Sequence, residues 1–115
     1  MTLVIEALLE TARADTDLLI KNDELGDVLA VSREVVFLIY APTEAKAQLV
    51  ASFINDNRYG DATAESDEHR HAVHIRIEMP ITQNVLCSVS GLMTCISKIF
   101  DTEYDGREAE LRRRT

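Results

Sequence analysis

Apolar residues recur along this chain in two rhythms, one helical and one alternating, and the switches between them predict the order of elements. Over residues 2–13, Val4, Ala7, Leu8 and Ala12 fall on one side while Glu6, Glu10 and Arg13 fall elsewhere, the spacing of a short helix. The rhythm loosens over residues 15–33, where Asn22-Asp23-Glu24 and Gly26-Asp27 supply turn residues around Leu18, Leu19 and Ile20. Residues 35–40 (VVFLIY) form a continuous β-branched and aromatic run ended by Pro42, which reads as a strand buried on both faces and central in a sheet. Thr43 then suits an N-cap and Glu44 the positive end of a helix. The stripe Ala45, Leu49, Val50, Phe53 and Ile54 carries that helix to about Asn57, with Gly60 closing it.

Residues 61–65 have weak strand character and are followed by a turn at Ser66-Asp67-Glu68. Val73, Ile75, Ile77 and Met79 then alternate strictly with His74, Arg76 and Glu78, a strand with one apolar face, stopped by Pro80. Thr82 can cap the next helix, in which Val85, Val89, Leu92, Ile96 and Ile99 recur at intervals of four, three, four and three. Gly91 interrupts that stripe at a cost of roughly 1 kcal/mol and marks close packing, with the sheet as the expected neighbour. A short strand around residues 102–104 and a turn at Asp105-Gly106 complete the pattern.

From residue 35 onward the order is β-α-β-β-α-β, the split βαβ pattern of a ferredoxin-like α+β domain: an antiparallel sheet, two helices on one face, and an extra N-terminal helix. In that topology the first and third strands are central, and here they are the most hydrophobic. The expected organisation is one domain of 115 residues: residues 1–32 as helix and connecting segment, 33–106 as the core, and 107–115 as a tail. The apolar side chains that the first strand turns away from the two helices need a cover. The N-terminal helix is the expected one, with a partner or a second copy as the alternative.

Composition changes this picture little, but charge changes it more. The chain is 46% hydrophobic and 28% charged, an ordinary globular balance, with no apolar run long enough to span a membrane. Residues 1–9 carry Glu6 where a secretory signal has basic residues, so the expected compartment is the cytoplasm. The formal net charge is −8, and it is uneven. Residues 1–106 hold 18 acidic and eight basic side chains, whereas Arg107, Arg112, Arg113 and Arg114 gather near the C-terminus. Such a body repels phosphate backbones and favours basic protein partners over direct nucleic-acid binding.

Candidate chemistry is sparse. Cys87 and Cys95 lie eight positions apart on one predicted helix, about 12 Å from each other, too far for a disulfide. His69, His71 and His74 cluster in sequence, but alternation lets only His69 and His71 share a strand face, so no metal site is expected. Glu65, Asp67 and Glu68 lack the ordered ligand positions and mid-loop glycine of a calcium loop and read as a solvated turn. No phosphate loop, nucleotide fingerprint or nucleophile motif occurs, and no cofactor is expected. The expectation is a binding protein, not an enzyme; an enzyme would need a pocket gathering His74, Glu78 or Cys87 with a base.

Four segments, 22–30 (NDELGDVLA), 33–41 (REVVFLIYA), the helix 44–57, and above all 100–106 (FDTEYDG), resemble the type B regulators of ribonuclease E activity, small acidic ferredoxin-like proteins. The resemblance implies a protein that binds a ribonuclease E-type endonuclease and damps its RNA processing without cleaving or reading RNA. It directs attention to Asp101, Glu103, Tyr104 and Asp105 as candidate partner-binding residues; the other reading of that segment is an edge strand and turn that close the fold. Arg107-Glu108 stands where the family usually continues with an aromatic-glycine pair. The competing reading of the whole chain is a stand-alone dimeric or ligand-binding module.

Overall fold

The computed structural model describes residues 2–109, with side chains from residue 4 onward. The elements follow in the order α1 (Thr2–Glu24), β1 (Arg33–Ala41), α2 (Glu44–Asp56), β2 (Asp61–Ser66), β3 (His71–Met79), α3 (Gln83–Ile99) and β4 (Glu103–Ala109). The four strands form one antiparallel sheet in the order β2-β3-β1-β4, so the protein is α+β. β1 and β3, the two most hydrophobic runs, take the central positions expected of them.

Pleating sends Val35, Phe37 and Ile39 of β1 and Val73 and Ile75 of β3 to one face, where all five are fully buried. They pack with Val50 and Ile54 of α2 and Leu86 and Met93 of α3. Full burial of a side chain such as Phe37 contributes about 1.5–3 kcal/mol. Gly60, entering β2, leaves no room for a side chain: a Cβ there would lie 2.6 Å from Ile75 Cγ2.

The opposite face departs from expectation. Val36, Leu38 and Tyr40 are only half-buried, so β1 is buried on one face and not on both. α1 does not cover them. It packs on α3, with Leu8 Cδ2 3.6 Å from the Cβ position of Gly91, Thr11 Oγ1 3.1 Å from Thr94 Oγ1, and Gln83 Nε2 donating to Thr16 Oγ1 at 3.2 Å. Gly91 therefore faces α1 and not the sheet. The physical reason lies in the inner stripe of α1, where Leu8, Thr11, Asp15 and Leu19 recur at helical spacing and mix apolar with polar groups. On α3 the Thr94 hydroxyl pairs with Thr11 and the Ser90 hydroxyl lies beside Asp15, polar partners that suit this mixed stripe.

α1 is also longer than its periodicity suggests, running through Leu18, Leu19 and Ile20 to Glu24. Gly26 stops it at φ 84°, with Gly26 N donating to Asp23 O and Asp27 N to Asn22 O, a Schellman closure. α2 and α3 close in the same way, but with Arg58 (φ 58°) and Asp101 (φ 56°) in the left-handed position. Arg58, not Gly60, ends α2. Thr43 caps α2 by accepting from Lys46 N at 3.1 Å, whereas Thr82 occupies the N-cap of α3 without a side-chain bond.

The last strand differs most. Asp105-Gly106 is not a terminal turn: β4 continues to Ala109, and Gly106 (φ 92°) lies where the register against β1 shifts between Phe37 and Ile39. Arg107 consequently belongs to the sheet and not to a tail, because its side chain is almost wholly buried on the helix side. The remaining arginines, Arg112, Arg113 and Arg114, lie outside the described residues.

Candidate partner-binding surface

Register turns the uncovered face into a grid. One row across the sheet reads Glu103, Tyr40, Ala72 and Glu65; the next is built on Leu38, His74 and Thr63, with Asp105 beside it at the bulge; the third reads Glu108, Val36, Arg76 and Asp61. Glu34 and Glu78 stand opposite each other at the end of the face. An apolar column of Val36, Leu38 and Tyr40 is thus flanked by carboxylates on β4 and, across β3, on β2. Alternation alone produces this surface, since every second residue of each strand faces the same way.

Three shallow concavities line the surface. One of about 280 Å³ lies between Leu38, Tyr40, Glu65, Arg70 and His74. A second, of about 510 Å³, lies between Tyr40, His69, Arg70, His71, Glu103 and Asp105. The third, of about 140 Å³, runs past Val36, Leu38, Asp105 and Glu108. Arg70 separates the first two, its guanidinium 5.1 Å from the Tyr40 ring centre and Nη1 donating to the Tyr40 hydroxyl at 2.9 Å. His74 Nδ1 lies 3.6 Å from Glu65 Oε2. The hairpin that positions Arg70 is built by Asp67, whose Oδ1 accepts from His69 N and Arg70 N at 2.7 and 2.8 Å. These two bonds hold the Asp67 carboxyl below its usual range.

The four residues singled out in the sequence separate. Glu103 and Asp105 are exposed on the open face. Asp101 is exposed beyond α3 as its left-handed terminal residue. Tyr104 points to the other side of the sheet, its ring 6.5 Å from Phe37 and its hydroxyl 3.1 Å from Ser90 Oγ. Burial pushes the Tyr104 hydroxyl up to about 12, against the lowering effect of the Ser90 bond.

Beneath Tyr104 lies a polar cluster that periodicity gave no means of finding. Asp15 of α1 is 6% exposed, and its Oδ1 is 3.8 Å from Arg107 Nε, an ion pair beyond hydrogen-bond reach. Burial raises the Asp15 carboxyl above its usual range, opposed by Ser90 and Arg107, and burial lowers the Arg107 guanidinium. Cys87, nearby on α3, is pushed up by burial and then by Asp15, which keeps its thiol protonated.

A second buried pair lies at the other end of β1. Arg33 Nη1 donates to both oxygens of Asp27 at 2.8 Å, while Nη2 and Nε donate to Val28 O and Val31 O. It joins residues 22–30 to residues 33–41, two of the segments that carry the family resemblance. An acid and a base six positions apart in a loose stretch were the only sequence signal for it.

His74 and Glu78 face the open side, whereas Cys87 sits on α3 behind the sheet, so the three are not gathered in one pocket. Cys87 and Cys95 are free thiols on α3. Among the described residues no group of three His, Cys, Asp or Glu side chains is placed to hold a metal ion, and no helix is long and apolar enough to cross a membrane.

No curated relative matches the chain. The family model for RraB, regulator of ribonuclease activity B, matches residues 12–108, from the middle of α1 to the penultimate residue of β4, and it takes in both buried ion pairs and the whole open face. On that match the chain belongs to the RraB family, regulators of ribonuclease activity.

Proposed function

We propose that this chain regulates an endoribonuclease of the ribonuclease E type by binding it in the cytoplasm and lowering its RNA processing, with no catalysis of its own. The family match over residues 12–108 carries this reading, because that family is regulatory and non-catalytic. Charge supports the mode of action: 18 acidic against eight basic side chains over residues 1–106 disfavour a direct grip on RNA and favour a basic surface of the nuclease. Glu103 and Asp105 contribute to that contact, Asp101 joins it from the turn before β4, and Tyr104 supports it from behind by anchoring the strand. We also read the strand order, with β1 and β3 between two edges, as the ferredoxin-like arrangement.

The test is a pull-down of purified nuclease with this protein, together with cleavage of a single-stranded RNA by the nuclease with and without it, at low and high salt. Binding and slower cleavage are expected at low salt, both weakening as salt rises. The absence of both binding and slower cleavage at low salt would overturn the proposal.

A further inference from the structure

We infer that the open face of the sheet seats a basic amphipathic helix supplied by the protein partner. The inference rests on the proposed function for the partner's identity, but its shape and charge come from the sheet itself. The layered logic of α+β domains leaves an apolar sheet surface to be covered by a helix, and α1 is committed to α3. The half-buried column Val36, Leu38 and Tyr40 spans about 13 Å, the rise of roughly nine helical residues. Apolar side chains spaced i, i+3 or i+4, and i+7 on the incoming helix would meet that column.

A helix about 10 Å across, lying on strands about 4.8 Å apart, reaches the neighbouring columns on both sides. On β4 it meets Glu103, Asp105 and Glu108, and on β3 it meets Ala72, His74 and Arg76, with Asp61 and Glu65 of β2 one strand further out. Lys and Arg along the β4 side of its apolar stripe fit the carboxylates of Glu103, Asp105 and Glu108. Arg70 already lies over the Tyr40 ring and donates to its hydroxyl, so incoming cations are left to the β4 carboxylates.

Other occupants fit the face less well. A second copy would bring its own carboxylates against these, and phosphate-bearing surfaces are repelled for the same reason. An added strand finds the β2 edge taken at Ala62, whose N–H and C=O are both bonded by the Asn55 side chain at 2.8 and 2.9 Å. The β4 edge is distorted by the bulge at Gly106.

The probe is a peptide of about 18 residues containing only Leu, Lys and Arg with leucines at helical spacing, compared with a scrambled isomer of identical charge. Amide chemical shifts of the whole protein should move on β1, β3 and β4, and the patterned peptide should bind about tenfold more tightly than the scramble. Reversing Glu103, Asp105 and Glu108 to lysine should weaken binding about tenfold, whereas reversing the exposed acids Glu6, Glu10 and Asp17 of α1 gives the same net charge and leaves affinity within about threefold. No binding, equal binding of the scramble, shifts centred on the helices, or equal loss from both triple variants would each overturn the inference. If the face variant still binds and inhibits the nuclease as the parent does, this inference falls and the proposed function stands. If the parent protein does not bind the nuclease, the proposed function falls, and the peptide titration still decides the inference.

Discussion

Two non-glycine residues hold left-handed backbone where a helix must stop. Arg58 and Asp101 take the position that Gly26 fills after α1, and a side chain there meets its own carbonyl, at a cost of about 1 kcal/mol relative to glycine. Arg58→Gly and Asp101→Gly are each expected to raise stability by roughly 0.5–1 kcal/mol, read from the urea midpoint at unchanged m-value. A loss in either variant would mean that the side chain makes a compensating contact. Asp101→Gly also separates two roles, since undiminished nuclease binding would assign Asp101 to helix termination alone. The Arg33–Asp27 pair is the opposite case, a residue-scale feature whose removal is costly. Both side chains are fully buried, so Arg33→Met is expected to cost about 3–5 kcal/mol by removing the guanidinium that is bonded to both oxygens of the buried Asp27 carboxylate. A calorimetric melt shifted by only a degree or two would contradict that.

At the scale of elements, β4 is held to the helical layer by Tyr104 and Arg107. The folded Tyr104 hydroxyl titrates at about 12 against an ordinary 10.0, so between these values the unfolded chain releases a proton that the native protein keeps. Stability must therefore fall as pH rises through that window. Tyr104→Phe removes that titration and is expected to flatten the stability–pH curve above pH 10, measured by denaturant melts on either side of the ordinary value. An unchanged slope would mean that the hydroxyl is more hydrated than its bond to Ser90 implies. Asp15 has the same sign at the acid end. Its raised carboxyl keeps a proton that the unfolded chain gives up, so it lowers stability as pH rises through the window above 3.8.

For the molecule as a whole, the governing quantity is the negative charge of the body and its concentration on the uncovered face. Exposed carboxylates act over roughly one Debye length, about 10 Å at 0.1 M salt, so they govern encounter more than lifetime. Raising salt should slow association with the nuclease more than it speeds dissociation, a split that surface-plasmon kinetics can read. A dominant effect on dissociation would point to buried pairs at the interface instead.

Local pattern determined a good deal. Strict alternation in β3, the apolar run of β1 and the stripes of α2 and α3 marked those elements and the central strands, because two-residue and 3.6-residue periods are written directly into the order of side chains. The family resemblance was legible in short segments, one of which put Glu103 and Asp105 forward as candidates. Only the tertiary structure decided the rest. Where α1 lies depends on which surface can satisfy Thr11 and Asp15. Whether Asp105-Gly106 is a turn or a bulge depends on the register available beside β1, and Arg107 is buried because that bulge returns it to the helix side of the sheet. Buried ion pairs join residues that share no period, and the acidic grid appears only when four strands are brought side by side. Periodicity specifies each element's own faces, whereas pairing and packing choose which faces meet and which stay open.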